Sequence, residues 1–171
     1  MVGNLLDTLL YPALFLLGIG VLYPIVIRGL FLIRDDQVGI LVKKMLGVKL
    51  PEGHIIATKG EIGIQAQTLM PGLYWKFPLV WRIRKVPVTV IPPDKVGVVE
   101  SVDGQPLQKG RILGDEADCD QYQNAIAFLD GDKAGKRGHK GPQIGVIRPG
   151  TYRINTFVFN VTQYDATKIE K

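Results

Sequence analysis

The sequence predicts an α+β chain, predominantly β, in which one N-terminal membrane helix precedes a duplicated β unit with one short inserted helix. Three observations lead there. From Thr8 to Ile27 run 20 residues without a charge. Beyond them, short β-branched segments alternate with turns rich in glycine and proline. Three motifs of the first half then return, in the same order, in the second.

The apolar stretch accounts for the composition. Hydrophobic residues make up 46% of the 171, and mean hydropathy is +0.14 despite 21 basic and 16 acidic side chains. The apolar residues are therefore concentrated rather than spread. A disordered tail is excluded by composition, and a disulfide scaffold by the single cysteine, Cys119. The net charge of +5 is modest for a nucleic-acid binder and fits an acidic membrane surface.

As a helix, Thr8–Ile27 rises about 30 Å, one hydrocarbon thickness. Its anchoring side chains are Leu9, Leu10, Tyr11, Leu14, Phe15, Leu16, Leu17, Ile19, Val21, Leu22, Tyr23, Ile25, Val26 and Ile27. Tyr11 and Tyr23 stand near its ends, where aromatic belts form. A cleaved signal peptide is disfavoured, because Met1–Asp7 lacks Lys and Arg and no small-residue cleavage pattern follows. Gly18, Gly20 and Pro24 leave a re-entrant hairpin as the alternative to a span. Residues 29–33 stay apolar, so the anchor is set at 1–33. The flank after the helix carries Arg28, Arg34, Lys43 and Lys44, against Asp7 alone before it. That asymmetry predicts a single-pass protein of the cell membrane with the bulk of its chain in the cytoplasm.

The remaining domain, 34–171, divides into units of about 34–90 and 91–171. Strands are predicted over Val38–Val42, Ile62–Ile64, Val86–Val90 and Val96–Val99, with turns at Pro71-Gly72, Asp103-Gly104 and Pro149-Gly150. Asp36-Gln37-Val38-Gly39-Ile40 matches Asp94-Lys95-Val96-Gly97-Val98. Lys59-Gly60 before Ile62-Gly63-Ile64 matches Lys140-Gly141 before Ile144-Gly145-Val146, and Pro71-Gly72-Leu73-Tyr74 matches Pro149-Gly150-Thr151-Tyr152. Inside the second unit, Tyr122, Ala125, Ile126 and Leu129 have helical spacing. Asp120 with Gln123 predicts the helix start and Gly131 its stop.

Catalytic chemistry finds little support. Ser101 is the sole serine and lacks the flanking glycines of a nucleophile elbow, so it reads as a surface hydroxyl beside a turn. Cys119 with His139 is the one thiol–imidazole candidate, yet its acidic neighbours raise a thiol pKa. Asp115, Glu116, Asp118 and Asp120 lack the loop glycine and distal glutamate of a calcium loop, and no Cys or His spacing suggests zinc. Gly131–Arg137 is one residue short of a phosphate loop and has Arg137 in place of the Ser or Thr, leaving a basic loop. No catalytic, cofactor or metal site is expected.

These residues together resemble the SPFH (band 7) superfamily, which holds flotillins, stomatins and prohibitins. The specific part is Pro71-Gly72-Leu73-Tyr74-Trp75-Lys76-Phe77-Pro78 after the Val38-Gly39-Ile40 strand. The stretch from Ile91-Pro92-Pro93-Asp94 through Pro149-Gly150-Thr151-Tyr152-Arg153-Ile154-Asn155 resembles bacterial flotillin-like members. The resemblance implies a non-enzymatic scaffold of membrane microdomains and partner membrane proteins. Its implied partners are membrane lipids, further SPFH-type chains and membrane proteases, with no nucleic acid. In the second unit Asn155-Thr156 stand where Phe77-Pro78 stand in the first. No heptad run is present, and Lys168-Ile169-Glu170 falls where a further unit would begin, so the chain is expected to stop before the family's coiled coil. The alternative is a membrane-tethered adaptor for a single protein. Candidate headgroup contacts are Trp75, Lys76, Trp81, Arg82, Arg84 and Lys85, alongside exposed Leu73 and Phe77.

Overall fold

The computed structural model describes residues 2–166. The apolar run forms one helix, α1 (Val2–Arg28), with Pro12 and Pro24 inside it. The chain then becomes sheet. Strands β1 (Leu30–Ile33), β2 (Gln37–Lys43), β3 (Ile56–Ala57), β4 (Gly63–Leu69), β5 (Gly72–Trp75) and β6 (Trp81–Pro87) follow the helix. After them come β7 (Thr89–Ile91), β8 (Lys95–Ser101), α2 (Ala125–Asp130), β9 (Gly141–Ile147), β10 (Gly150–Tyr152) and β11 (Phe159–Asp165). The protein is thus predominantly β with one N-terminal apolar helix.

In the first half β1 pairs antiparallel with β5, while β2 lies between β4 and β6, with β3 parallel to β4 at the edge. In the second half β7 pairs antiparallel with β10, while β8 lies between β9 and β11. Register follows the same course. Gly39 faces Leu69 and Lys85; Gly97 faces Ile147 and Gln163. The ladder slips between Ile40 and Val42 in one half and between Val98 and Glu100 in the other. Gln65 Nε2 donates to the Glu61 and Gly63 carbonyls, and Gln143 Nε2 donates to those of His139 and Gly141.

Two apolar clusters hold these sheets. Ile33, Leu41, Leu69 and Ile83 form the smaller, with Phe31, Tyr74 and Trp81 packed against it. The larger gathers Ile91, Val99, Phe128, Ile147, Ile154, Val158 and Phe159 with Ile56 and Ala66 from the first half. Tyr122, Phe128 and Phe159 meet ring to ring, the Phe128–Phe159 pair edge-on at 4.9 Å between centroids.

Several sequence expectations need correction. Residues 30–33, placed with the anchor, form β1 and pair with β5, so the β domain begins just after α1. The strand expected over Val86–Val90 is divided, with β6 ending at Pro87 and β7 starting at Thr89. The inserted helix is shorter than its apolar spacing suggested. Its cap is Asn124, whose side chain accepts from the Ala127 N–H at 3.1 Å, and not Asp120. Asp120, Gln121 and Tyr122 have φ of 52°, 51° and 66°, a left-handed run that no α-helix continues through. Gly131 does end the helix, its N–H donating to the Ala127 carbonyl. Ser101 is buried, its hydroxyl donating to the Asp103 carbonyl at 2.6 Å. Lys168–Glu170, where a further unit was expected to begin, lies outside the described residues.

Candidate membrane-contact site

The site starts from the apolar stretch of α1. Leu10–Arg28 is long and apolar enough to cross a membrane, at mean hydropathy 2.2 and with none of it buried. Leu10, Tyr11, Leu14, Phe15, Leu16, Leu17, Ile19, Val21, Leu22, Tyr23, Val26 and Ile27 are all exposed, and Ile25 is half-buried; Leu9 lies in the same helix. Apolar residues on every side of one helix suit lipid rather than water.

The end of α1 is tied to the sheet. Trp75 Nε1 donates to the Val26 carbonyl at 3.2 Å, joining the Gly29 N–H, which donates to the same oxygen at 3.2 Å. The Lys76 N–H donates to the Gly29 carbonyl at 2.8 Å. Gly29 must stay small here, since a Cβ would lie 2.8 Å from both the Trp75 indole nitrogen and the Lys76 carbonyl.

From that junction β1 and β5 form a two-stranded ribbon with two unlike faces. Phe31, Ile33 and Tyr74 point into the smaller core. Leu30 sits opposite Trp75 and Leu32 opposite Leu73, and these four are exposed by 48%, 50%, 56% and 64%. Period-two alternation puts all four on one side. Phe77 continues the apolar surface, its ring 6.5 Å from that of Trp75. An exposed apolar ribbon of this composition is a candidate contact surface.

The predicted headgroup residues do not form one patch. Trp75 stands on the apolar ribbon face. Trp81 is half-buried against the smaller core, with the Lys43 and Lys76 amines 5.4 Å and 5.6 Å from its ring centre. Arg82, Arg84 and Lys85 are exposed on β6. Arg84 turns away from this cluster and lies over the Phe157 ring at 5.3 Å. Sequence reasoning missed Lys43 as a member of the site, although its place opposite Trp81 follows from the β2–β6 register.

No family model matches this chain, no curated protein matches it, and no solved structure matches it.

Burial pushes the Cys119 thiol up to about 11, and Asp118, Asp120 and Glu116 push the same way. Burial likewise raises the Tyr122 phenol. The Arg111 guanidinium hydrogen-bonds Asp115 and holds its carboxyl below the usual range. The Asp132 carboxylate accepts the N–H groups of Lys136 and Ala134, each at 2.8 Å, which folds Gly131–Arg137 into a closed turn and lowers its pKa. Among the described residues, no three His, Cys, Asp or Glu side chains gather as a metal site would require. A cleft of about 690 Å³ lies between Glu116–Tyr122 and Lys136.

Proposed function

We propose that this chain is a membrane-anchored scaffold of flotillin type, organising membrane microdomains and partner membrane proteins without catalysis. In this reading α1 is a single-pass anchor of the cell membrane, and the β domain lies on the cytoplasmic side. The two halves are copies of one band 7-type β unit, a reading supported by their common pairing order, register and ladder slip. Self-association or association with other SPFH-type chains assembles the scaffold, and a membrane protease is a candidate client.

One observation carries the reading: the exposed face of Leu30, Leu32, Leu73 and Trp75 begins two residues beyond the apolar helix. A helix alone would leave the domain free to tumble. A second apolar surface rigidly joined to the helix end holds the domain against the leaflet, a posture suited to ordering lipids and neighbouring proteins. Crosslinking in native membranes tests the proposal. A high-order ladder containing this chain is the expected result. A discrete heterodimer with one protein indicates the adaptor instead, and recovery of the chain in the soluble fraction overturns both. A reporter at Lys171 that is active only outside the cytoplasm refutes the orientation.

A further inference from the structure

We propose that the Lys43 and Lys76 amines, set about the Trp81 ring, select anionic lipid headgroups at the foot of α1; this rests on the anchored reading above. Position comes first. The antiparallel ribbon brings Trp75 beside Leu30 at the helix end, and the next residue, Lys76, is held there by its bond to the Gly29 carbonyl. Lys43 joins it across the ladder from Trp81.

Charge comes second. Residues 30–88 carry nine basic and four acidic side chains, whereas 89–171 carry eleven of each, so the whole net charge of +5 belongs to the half next to the helix. Among the described residues, Lys95, Arg111 and Arg137 of the second half pair with Asp165, Asp115 and Asp130. No carboxylate there lies within ion-pair distance of Lys43 or Lys76, and the Lys43 amine has only the Gly60 carbonyl, at 2.7 Å.

The molecule supplies its own comparison. The Lys43–Trp81 pair of β2 and β6 has its counterpart in the Ser101–Phe159 pair of β8 and β11. At the place of Lys76, four residues past the Pro-Gly turn glycine, stands Ile154. Ser101, Ile154 and Phe159 are all buried and uncharged. The same pairing pattern thus closes without cations in the half remote from the helix, and the amines of the near half are not needed to build it. Amines without a carboxylate partner, held beside an indole, match a phosphate-bearing anionic surface, at about fivefold in affinity for each cation.

The test uses the full chain carrying Trp75→Phe, which leaves Trp81 as the single tryptophan, reconstituted in phosphatidylcholine vesicles. Brominated phosphatidylglycerol is expected to quench Trp81 at least about threefold more strongly than brominated phosphatidylcholine at equal mole fraction, the gap narrowing at high salt. Adding Lys43→Gln with Lys76→Gln closes the gap, while Lys140→Gln leaves it. Equal quenching by the two lipids without those lysine changes overturns the selectivity and leaves the anchor standing. A gap that survives the double substitution overturns the assignment to these amines. Absence of quenching by either lipid, with release of the chain at alkaline pH, overturns the selectivity and the anchored reading together.

Discussion

The Asn155 side chain crosses between the halves of the domain, its amide donating to the Gln65 carbonyl at 3.0 Å and the Ala66 carbonyl at 3.1 Å. Its own oxygen accepts the Phe157 N–H at 3.1 Å. Fully buried, this one residue satisfies two carbonyls of β4 and an N–H of its own turn. Asn155→Ala leaves those groups without their partner and is expected to cost about 2–4 kcal/mol. Chemical denaturation of the detergent-solubilised chain measures it, and a loss below about 0.5 kcal/mol rejects the bridging role.

Asp103 makes a second crossing. Its Oδ2 accepts the N–H groups of Ile55 and Ile56 at 2.7 Å and 2.8 Å, and its Oδ1 accepts that of Gly104 at 2.7 Å with His54 Nδ1 at 3.4 Å. Both oxygens act as acceptors, so Asp103→Asn turns one of them into a donor facing donors. A loss of about 2–4 kcal/mol is expected, with Asp103→Ala no better. Proteolysis within residues 51–57 should accelerate in step, and an unchanged cleavage rate would refute the latch.

These crossings explain what the sequence could and could not reveal. α1 was legible because a long uncharged run has few uses besides lipid. β2 and β8 were legible because a short β-branched segment between turn residues encodes its strand locally. Leu30–Ile33 was not, since four apolar residues after a helix read equally well as more helix; Gly29 beneath Trp75 is what separates them. Asn155 looked like a weak place in a motif, although it is a bridge to residues 89 and 90 positions away. Asp103 looked like a turn former for the same reason. Within the candidate site, tryptophan and basic residues were readable as types, while register decided that Lys43 joins Trp81 and that Arg84 leaves it for Phe157.

The Cys119 thiol carries a pH dependence of definite sign. Its pKa rises from 9.0 to about 11 on folding, mainly through burial, so the folded state favours the protonated form. The stability this contributes is complete below pH 9 and is lost as pH rises from 9 towards about 11. Alkylation by iodoacetamide should be slow in the folded chain at pH 8 and rapid after unfolding, and Cys119→Ala should flatten the alkaline limb of stability. Fast labelling of the folded protein at pH 8 is the outcome that contradicts a buried, protonated thiol.

Leu73 separates seating from folding. Its side chain points off the ribbon, so Leu73→Glu removes little packing and should change stability by less than about 0.5 kcal/mol. On a bilayer the same change sets a carboxylate among Leu30, Leu32 and Trp75, where leaving water is costly. With Trp81→Phe in the background, Trp75 becomes the sole tryptophan and reports the distance of the ribbon from the lipid. Quenching of Trp75 by brominated phosphatidylcholine should fall to less than about half in Leu73→Glu, while membrane retention through α1 persists. Undiminished quenching would mean that the ribbon face never meets the leaflet, and the domain would hang from its helix alone.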